Sequence, residues 1–139
     1  MMEVQAHDRV LTELDHARLA SLSAAASRDA RNSIPGLDDL LDGAEIVAPQ
    51  GVAADIVTMY SQVRLRTCDD GLEREVTLCY PADADPRLGL VSVLSPLGLG
   101  LLGRTAGTAV RWQCPDGRER TAEVDAVLFQ PEATGDYVT

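Results

Sequence analysis

The glycine-rich stretch GLGLLG at residues 98–103 has the letters of a phosphate-binding site. Gly98, Gly100 and Gly103 match the spacing G-x-G-x-x-G, in which glycines let a phosphate approach backbone N–H groups at the start of a helix. Such a site needs a strand before the glycines and a long αβ unit after them. Because Pro96 comes just before the glycines and a new strand is expected at Val110, we interpret them as allowing a short helix to pack closely on a sheet.

Cysteine and histidine could bind a metal, but their spacing does not favour it. Cys68, Cys79 and Cys114 are an odd number without a C-x-x-C pair, and the two histidines, His7 and His16, lie far away near the start. Neither a disulfide framework nor a zinc site is indicated. We therefore expect no metal, no cofactor and no catalytic residue.

The charge of the chain excludes other classes of chemistry. All 12 basic residues are arginines, and 22 acids bring the net charge to -10. Without lysine, neither a P-loop nor a Schiff-base mechanism is possible. Direct DNA binding is also disfavoured, because phosphate binding needs a concentrated positive field. A protein partner, with a basic surface, suits this charge better.

The first part of the chain has the apolar spacing of helices. Leu11, Leu14, Leu19, Leu22 and Ala26 predict an amphipathic helix over about 15–28, with Thr12 or Asp15 as its cap. The segment NSIPG at 32–36 breaks the pattern, and the spacing from Leu37 to Val47 predicts a second helix after Pro35. Together these predict a short antiparallel hairpin of the coiled-coil type, about 20 Å long.

The second part alternates with a period of two. Val63, Leu65 and Thr67 form one such run, and Val76, Leu78 and Tyr80 form the next after a turn. A third strand is predicted to end near Ser95, and two more are predicted over residues 110–113 and about 119–129. A short helix is predicted over residues 97–102, between the third strand and the fourth. The fold class is therefore α+β: residues 1–51 form the hairpin, and residues 52–139 form a small antiparallel sheet with one short helix.

Six arginines of this part could form a face of the sheet. By the two-residue period, Arg64 and Arg66 share one side of a strand, and Arg118 and Arg120 share one side of another. We interpret them as a solvated face balanced by nearby glutamates, with contact to an acidic protein surface or RNA as the alternative. The arginines are Arg64, Arg66, Arg104, Arg111, Arg118 and Arg120.

No apolar run approaches the roughly 20 residues that span a bilayer, and the first 30 residues contain acids and arginines. We expect no membrane association, a cytoplasmic location and a monomer.

Four segments of residues 52–139 are distinctive: DIVTMYSQVRLR (55–66), VTLCYPADAD (76–85), GLVSVLSPLGLGLLGRTAGTAVRW (89–112) and CPDGRERTAEVDAVLFQPEATGDY (114–137). Together they resemble the Rnk family, regulators of nucleoside diphosphate kinase, and more widely the Gre transcript elongation factors. The resemblance implies that residues 52–139 form a GreA/GreB C-terminal-type, FKBP-like domain. It also implies docking on RNA polymerase near the rim of its secondary channel. Ser95 and Pro96 match the family's Ser-Pro contact, and Ser92 lies beside them.

In the Gre factors, transcript cleavage depends on an Asp and a Glu at the tip of a long coiled coil, where they help to hold a magnesium ion. The corresponding tip here contains Arg28, Asp29 and Arg31, in which one carboxylate lies between two positive charges. A literal D-x-x-E occurs at Asp42 and Glu45, and we interpret it as a solvated part of the second helix. The resemblance therefore implies a regulator of nucleoside diphosphate kinase expression without cleavage activity.

Two alternatives stay open at this point. An FKBP-like peptidyl-prolyl isomerase needs a concave pocket with several aromatic walls, and this chain has five aromatic residues in all, which are Tyr60, Tyr80, Trp112, Phe129 and Tyr137. The other alternative is a regulator that binds the kinase directly, or that binds a nucleotide at the glycine-rich stretch.

Overall fold

A computed structural model describes residues 9–27, 36–68, 71–114 and 116–136. In these ranges the helices are α1 (Glu13–Ser27), α2 (Leu37–Gly43) and α3 (Pro96–Leu101). The strands are β1 (Val10–Thr12), β2 (Glu45–Val47), β3 (Gln62–Thr67), β4 (Glu73–Cys79), β5 (Leu90–Ser92), β6 (Ala109–Gln113) and β7 (Glu119–Phe129). The mixture of helices and sheet confirms the predicted α+β class.

Helix α1 begins two residues earlier than the sequence predicted. Thr12 caps it, because its Oγ1 accepts a hydrogen bond from the N–H of Asp15 at 3.1 Å. Leu19 is fully buried on the predicted apolar stripe, and Leu22 packs partly against the same core. Of the two predicted caps, Thr12 is thus confirmed, and Asp15 has another role described below.

The second helix is much shorter than predicted. It ends at Gly43, and Glu45–Val47 form strand β2, which pairs in parallel with β1. The N–H of Glu45 donates to the carbonyl of Arg9 at 2.9 Å, while Ile46 is 46% exposed and faces away from the core. The apolar spacing suggested that the helix continues over Ala44 to Val47, but Glu45–Val47 form a strand instead. This strand pairs with Val10–Thr12, 35 residues earlier in the chain, and a local pattern does not reveal such a partner.

The two helices contact each other in the antiparallel sense. His16 Nε2 lies 3.1 Å from the carbonyl oxygen of Leu41, and Ser23 Oγ donates to Asp38 at 2.6 Å, so later residues of α1 meet earlier residues of α2. With only seven residues, however, α2 contains about one heptad, which is too little for a coiled coil. The predicted tip residues Arg28, Asp29 and Arg31, and the predicted helix start at Pro35, lie outside the described residues.

The main sheet has the order β5-β4-β3-β7-β6. On β3, Val63 and Leu65 are buried and Arg64 and Arg66 face the other side, as the alternation predicted. The sheet is not entirely antiparallel, which corrects the prediction: β5 runs parallel to β4. Two short 3₁₀ turns, Pro81–Asp83 and Pro86–Leu88, carry the chain back along β4 before β5 begins.

Helix α3 joins the two edges of this sheet. It contacts both β5 and β6, the outermost strands, and thereby covers part of the face of the sheet that carries the core. Two glycines allow the approach: a side chain at Gly98 would lie 2.0 Å from the carbonyl oxygen of Ser92, and one at Gly100 would lie 2.7 Å from Val110. The interpretation of the glycine-rich stretch as a close-packing device is confirmed at these two positions. Gly103, with φ +82, supplies the predicted positive φ after the helix.

One hydrophobic cluster connects the helices to the sheet. Leu11, Leu19 and Leu37 belong to the same buried cluster as Val63 and Leu101. The guanidinium of Arg9 also donates to the carbonyls of Leu99 in α3 and of Leu102, which caps the C-terminal end of that helix. The boundary between residues 51 and 52 stays a prediction, although the segments on its two sides share this core. No helix among the described residues is long and apolar enough to cross a membrane.

Candidate functional site

Ser92, Ser95 and Pro96 lie together between β5 and α3, and we call this segment the Ser-Pro corner. Strand β5 ends at Ser92 instead of near Ser95, because the N–H and the Oγ of Ser95 both donate to the Ser92 carbonyl, at 3.1 and 2.7 Å. Ser95 Oγ then accepts from the N–H of Gly98 at 3.1 Å and caps α3. Pro96 is the first helical residue, where its missing N–H has no cost, and it is exposed.

The geometry of the Ser-Pro corner makes it a rigid support for one exposed ring. Both serine hydroxyls are committed to the local backbone, since Ser92 Oγ accepts from the N–H of Leu94 at 3.1 Å. Both hydroxyls thus help to hold the local backbone, and the exposed part of the corner is Pro96.

A concave surface begins at the Ser-Pro corner and runs along the uncovered end of the sheet, and we call it the Trp112 hollow. Its part beside the corner has a volume of about 360 Å³, and its part beside Arg74 and Arg120 has a volume of about 480 Å³. Both parts are lined by Pro86, Val91, Leu97 and Trp112. The hollow can accept an apolar side chain next to Pro96.

The opposite face of the sheet holds Arg64 and Arg66, as the two-residue period predicted. The prediction of one face for all six arginines is wrong, because Arg120 lines the Trp112 hollow and Arg104 and Arg118 lie outside the strands. Asp125 lies 2.9 Å from Arg66 and 3.4 Å from Arg64, and Glu73 and Glu123 lie within 3.9 Å of Arg66. The predicted balancing of Arg66 by these two glutamates is confirmed. The sequence interpretation missed Asp125, which is the nearest partner of both arginines.

A second concave surface, the tyrosine groove, lies between α1 and the end of β4. It has a volume of about 690 Å³ and is lined by Arg18, Leu22, Tyr60, Tyr80 and Pro81, with Ser21 and Ala82. The two rings meet edge to face with centroids 5.7 Å apart, and the Arg18 guanidinium lies 6.0 Å from the Tyr80 ring centre. Burial raises the pKa of Tyr80 to about 12. The aromatic rings are thus divided, since the Trp112 hollow contains one ring and the tyrosine groove two.

A buried carboxyl group joins α1 to the loop before β3. Asp15 is 2% exposed, and its Oδ2 accepts a hydrogen bond from the N–H of Met59 at 3.1 Å. Burial, together with the charge of Glu132, raises the pKa of Asp15 to about 6. Glu132 itself accepts from Thr58 Oγ1 at 2.7 Å. The sequence offered Asp15 only as a helix cap, because its true partner lies 44 residues away.

The D-x-x-E pattern does not form a pair on one helix. Asp42 is in α2 and Glu45 is in β2, so the prediction that both lie on the second helix is wrong, although both are exposed as expected. Exposed carboxylates on two different elements are not fixed relative to each other by a helical turn. The described residues thus offer no preformed acidic pair at this position.

Comparison with known proteins gives a consistent result. Residues 52–129 match the family described as "Transcription elongation factor, GreA/GreB, C-term". The regulator of nucleoside diphosphate kinase of Escherichia coli K12 is 34% identical over 93% of this chain and 95% of its own length. Transcription elongation factor GreA of Chlorobium phaeobacteroides DSM 266 is 35% identical over 81% of this chain and 77% of its own.

A solved structure agrees with this result. The prokaryotic transcription elongation factor GreA/GreB from Nitrosomonas europaea superposes with a TM-score of 0.72 and 34% identity. The match covers 87% of this chain and 99% of that one.

Proposed function

Since the chain belongs to the GreA/GreB C-terminal family and to its branch of regulators of nucleoside diphosphate kinase, we propose that it is a non-catalytic transcription regulator that binds RNA polymerase near the secondary channel. The observation that carries the proposal is the Ser-Pro corner, where the residues implied by the family resemblance form one rigid, partly exposed surface. Through the polymerase, the protein alters expression of nucleoside diphosphate kinase in the cytoplasm.

The contact is made by Pro96 and the adjoining part of the Trp112 hollow. Shape is fixed before binding, because the hydroxyl of Ser95 holds both the end of β5 and the start of α3. Binding to a preformed surface has a smaller entropic cost than ordering a loop. Trp112 adds an aromatic ring, and tryptophan is among the residues that most often dominate the binding energy of an interface.

Transcript cleavage is not part of the proposed function. At 1.5 Å per residue, the 15 residues of α1 extend about 22 Å and the seven of α2 about 10 Å. The described helices, at these lengths, bring no carboxylate pair deep into a channel, and Asp42 and Glu45 lie at and beyond the C-terminal end of α2. The effect of the protein then comes from occupying the polymerase, without supplying a ligand for magnesium.

Replacement of Pro96 by alanine is expected to weaken binding to core RNA polymerase by about threefold to tenfold, a modest loss for one truncated contact ring. The fold should be retained, because alanine is a good helix former at the first helical position. Labelled protein titrated with core polymerase measures the dissociation constant. Ser95→Glu, which adds a charge and removes the capping hydroxyl, is expected to weaken binding further.

Pro49→Ala is the matched control, since Pro49 is also the first residue of a short helical turn but lies outside the Ser-Pro corner and the Trp112 hollow. It should bind like the wild type. No saturable binding of the wild type to core polymerase at micromolar concentration would contradict the proposed function.

A further inference from the structure

Two arginines occupy positions on the core face of the sheet. Arg74 lies two residues before the buried Val76 on β4, and Arg120 lies two residues before the buried Ala122 on β7. Because side chains two apart in a strand share a face, both arginines are on the core face of the sheet. Helix α3 covers another part of this face. They lie at the end of the sheet that α3 leaves open, where they line the Trp112 hollow.

These arginines differ from those on the opposite face. Arg64 and Arg66 have carboxylates within 4 Å, whereas neither Arg74 nor Arg120 forms an ion pair with another residue of the described ranges. Glu75 also borders the hollow, but its carboxylate is the acceptor of a 3.4 Å hydrogen bond from Gln62, its neighbour on β3. By the alternation of β4, Glu75 belongs to the opposite face from Arg74.

The floor between the arginines and the Ser-Pro corner is apolar. Val91, Leu97 and Trp112 line it, and all three are only partly buried although they pack against the core. A recognition surface combines partly exposed apolar side chains with charged ones. The apolar side chains supply affinity, and the charged side chains orient the partner.

We propose that the Trp112 hollow binds an acidic polypeptide segment, which inserts an apolar side chain against Trp112 and places carboxylates on Arg74 and Arg120. The inference rests on the proposed function and deepens it, because it assigns the chemistry of the polymerase segment that meets the Ser-Pro corner. The net charge of -10 favours a basic partner for the molecule as a whole. At the Trp112 hollow itself, Arg74 and Arg120 favour an acidic partner instead.

A protein segment fits this surface better than RNA does. A backbone of phosphates would be repelled by the acid excess outside the hollow, and nonspecific RNA binding needs a long basic track. Two arginines above an aliphatic and tryptophan floor instead match a short segment with one apolar anchor and acidic neighbours. Arginine can also hold a carboxylate with two parallel hydrogen bonds.

Trp112 is the only tryptophan of the chain, so its fluorescence reports directly on the hollow. The probe is an acetylated peptide with a central Leu-Phe pair flanked by three glutamates on each side. We expect a saturable change in Trp112 fluorescence that weakens as salt is raised. The same peptide with lysines in place of the glutamates should bind at least about tenfold more weakly, because its charges repel both arginines.

The variant Arg74→Gln/Arg120→Gln should lose at least about tenfold in affinity for the glutamate peptide, as expected when two charged contacts are removed. Arg66→Gln/Arg111→Gln is the matched control, since it removes the same charge from the opposite face of the sheet. Equal binding of the glutamate and lysine peptides, no binding of either, or tighter binding of a single-stranded RNA of ten nucleotides would each overturn the inference.

Titration of the same two variants with core RNA polymerase separates this inference from the proposed function. If polymerase binds wild type and the Arg74/Arg120 variant equally, the inference fails and the proposed function stands. If polymerase does not bind the wild type at all, the proposed function fails, whereas selective binding of the glutamate peptide would still support the chemistry assigned to the hollow.

Discussion

Replacing Gly98 by alanine is expected to lower the free energy of unfolding by about 3 kcal/mol or more, the upper range for overpacking in a rigid site. The new Cβ would lie 2.0 Å from the carbonyl oxygen of Ser92 and 2.8 Å from Val93 Cα, both of which are backbone atoms that cannot rotate away. Either α3 or β5 must move, and the Ser95 hydrogen bonds that define the Ser-Pro corner would be disturbed. Urea unfolding followed by circular dichroism measures the loss.

Alanine substitutions at two other glycines, Gly100 and Gly51, serve as comparisons for the Gly98→Ala result. At Gly100 the close contact of a Cβ would be with Val110 Cγ1 at 2.7 Å, and the nearest backbone atom, the Arg111 carbonyl oxygen, would lie at an ordinary 3.5 Å, so a smaller loss is expected there. At Gly51 nothing lies within 4 Å of the added atom, and Gly51→Ala should change stability by less than about 1 kcal/mol. A Gly98→Ala protein as stable as Gly51→Ala would show that α3 does not approach β5 as described.

The second large effect concerns Asp15 and depends on pH. Its pKa in the folded protein is about 6, against 3.8 for the ordinary group, because burial disfavours the ionised carboxylate. A raised pKa contributes stability that is fully present below pH 3.8 and is lost as the pH rises through about 6. Asp15→Asn has no charge to bury, and its amide oxygen can still accept from the N–H of Met59.

We therefore expect Asp15→Asn to be more stable than wild type at pH 8, by up to about 3 kcal/mol, as the difference between the two pKa values implies. The advantage should decrease as the pH falls below 6 and should vanish near pH 4. Thermal unfolding from pH 4 to 8 provides the measurement. Asp42→Asn, at an exposed position, is the control and should follow the wild type. An advantage that is absent at pH 8, or the same at every pH, would contradict the assignment.

The sheet could be predicted from the sequence because its pattern is local. The alternation at Val63 and Leu65 and again at Val76 and Leu78 placed these side chains in the core, where they are found. The end of α3 could also be predicted, because the chain reverses there with a positive φ at Gly103, which glycine adopts readily. In each case the residues that decide the outcome lie within a few positions of one another.

The second helix could not be delimited in this way. The spacing of Leu37, Leu40 and Ala44 is helical and continues to Val47, but the chain leaves the helix to pair with β1. Short apolar runs fit either a helix or a strand, and the choice here depends on hydrogen bonds to the distant Val10–Thr12 segment. The parallel pairing of β5 with β4 was missed for the same reason.

The candidate site was predicted in part. The Ser-Pro corner followed from the resemblance and from the strand-breaking effect of Pro96, and Ser92, Ser95 and Pro96 indeed lie together. Arg74 was not singled out, and Arg120 was grouped with arginines that lie elsewhere, although contact with an acidic protein surface was the alternative given for that group. The face of Arg74 and Arg120 could be assigned from the two-residue period, but that α3 leaves this end of the sheet open is a tertiary feature that no local pattern contains.

The most direct test of the central claim is a competition on backtracked transcription complexes. A cleavage-competent Gre factor is supplied at a fixed concentration, this protein is added in increasing amounts, and the short 3′ RNA fragments are measured. We expect no fragments with this protein alone and a progressive loss of those released by the Gre factor, with Pro96→Ala less effective. Fragments released by this protein alone, or cleavage by the Gre factor that remains unchanged at saturating concentration, would contradict a non-catalytic regulator at the secondary channel.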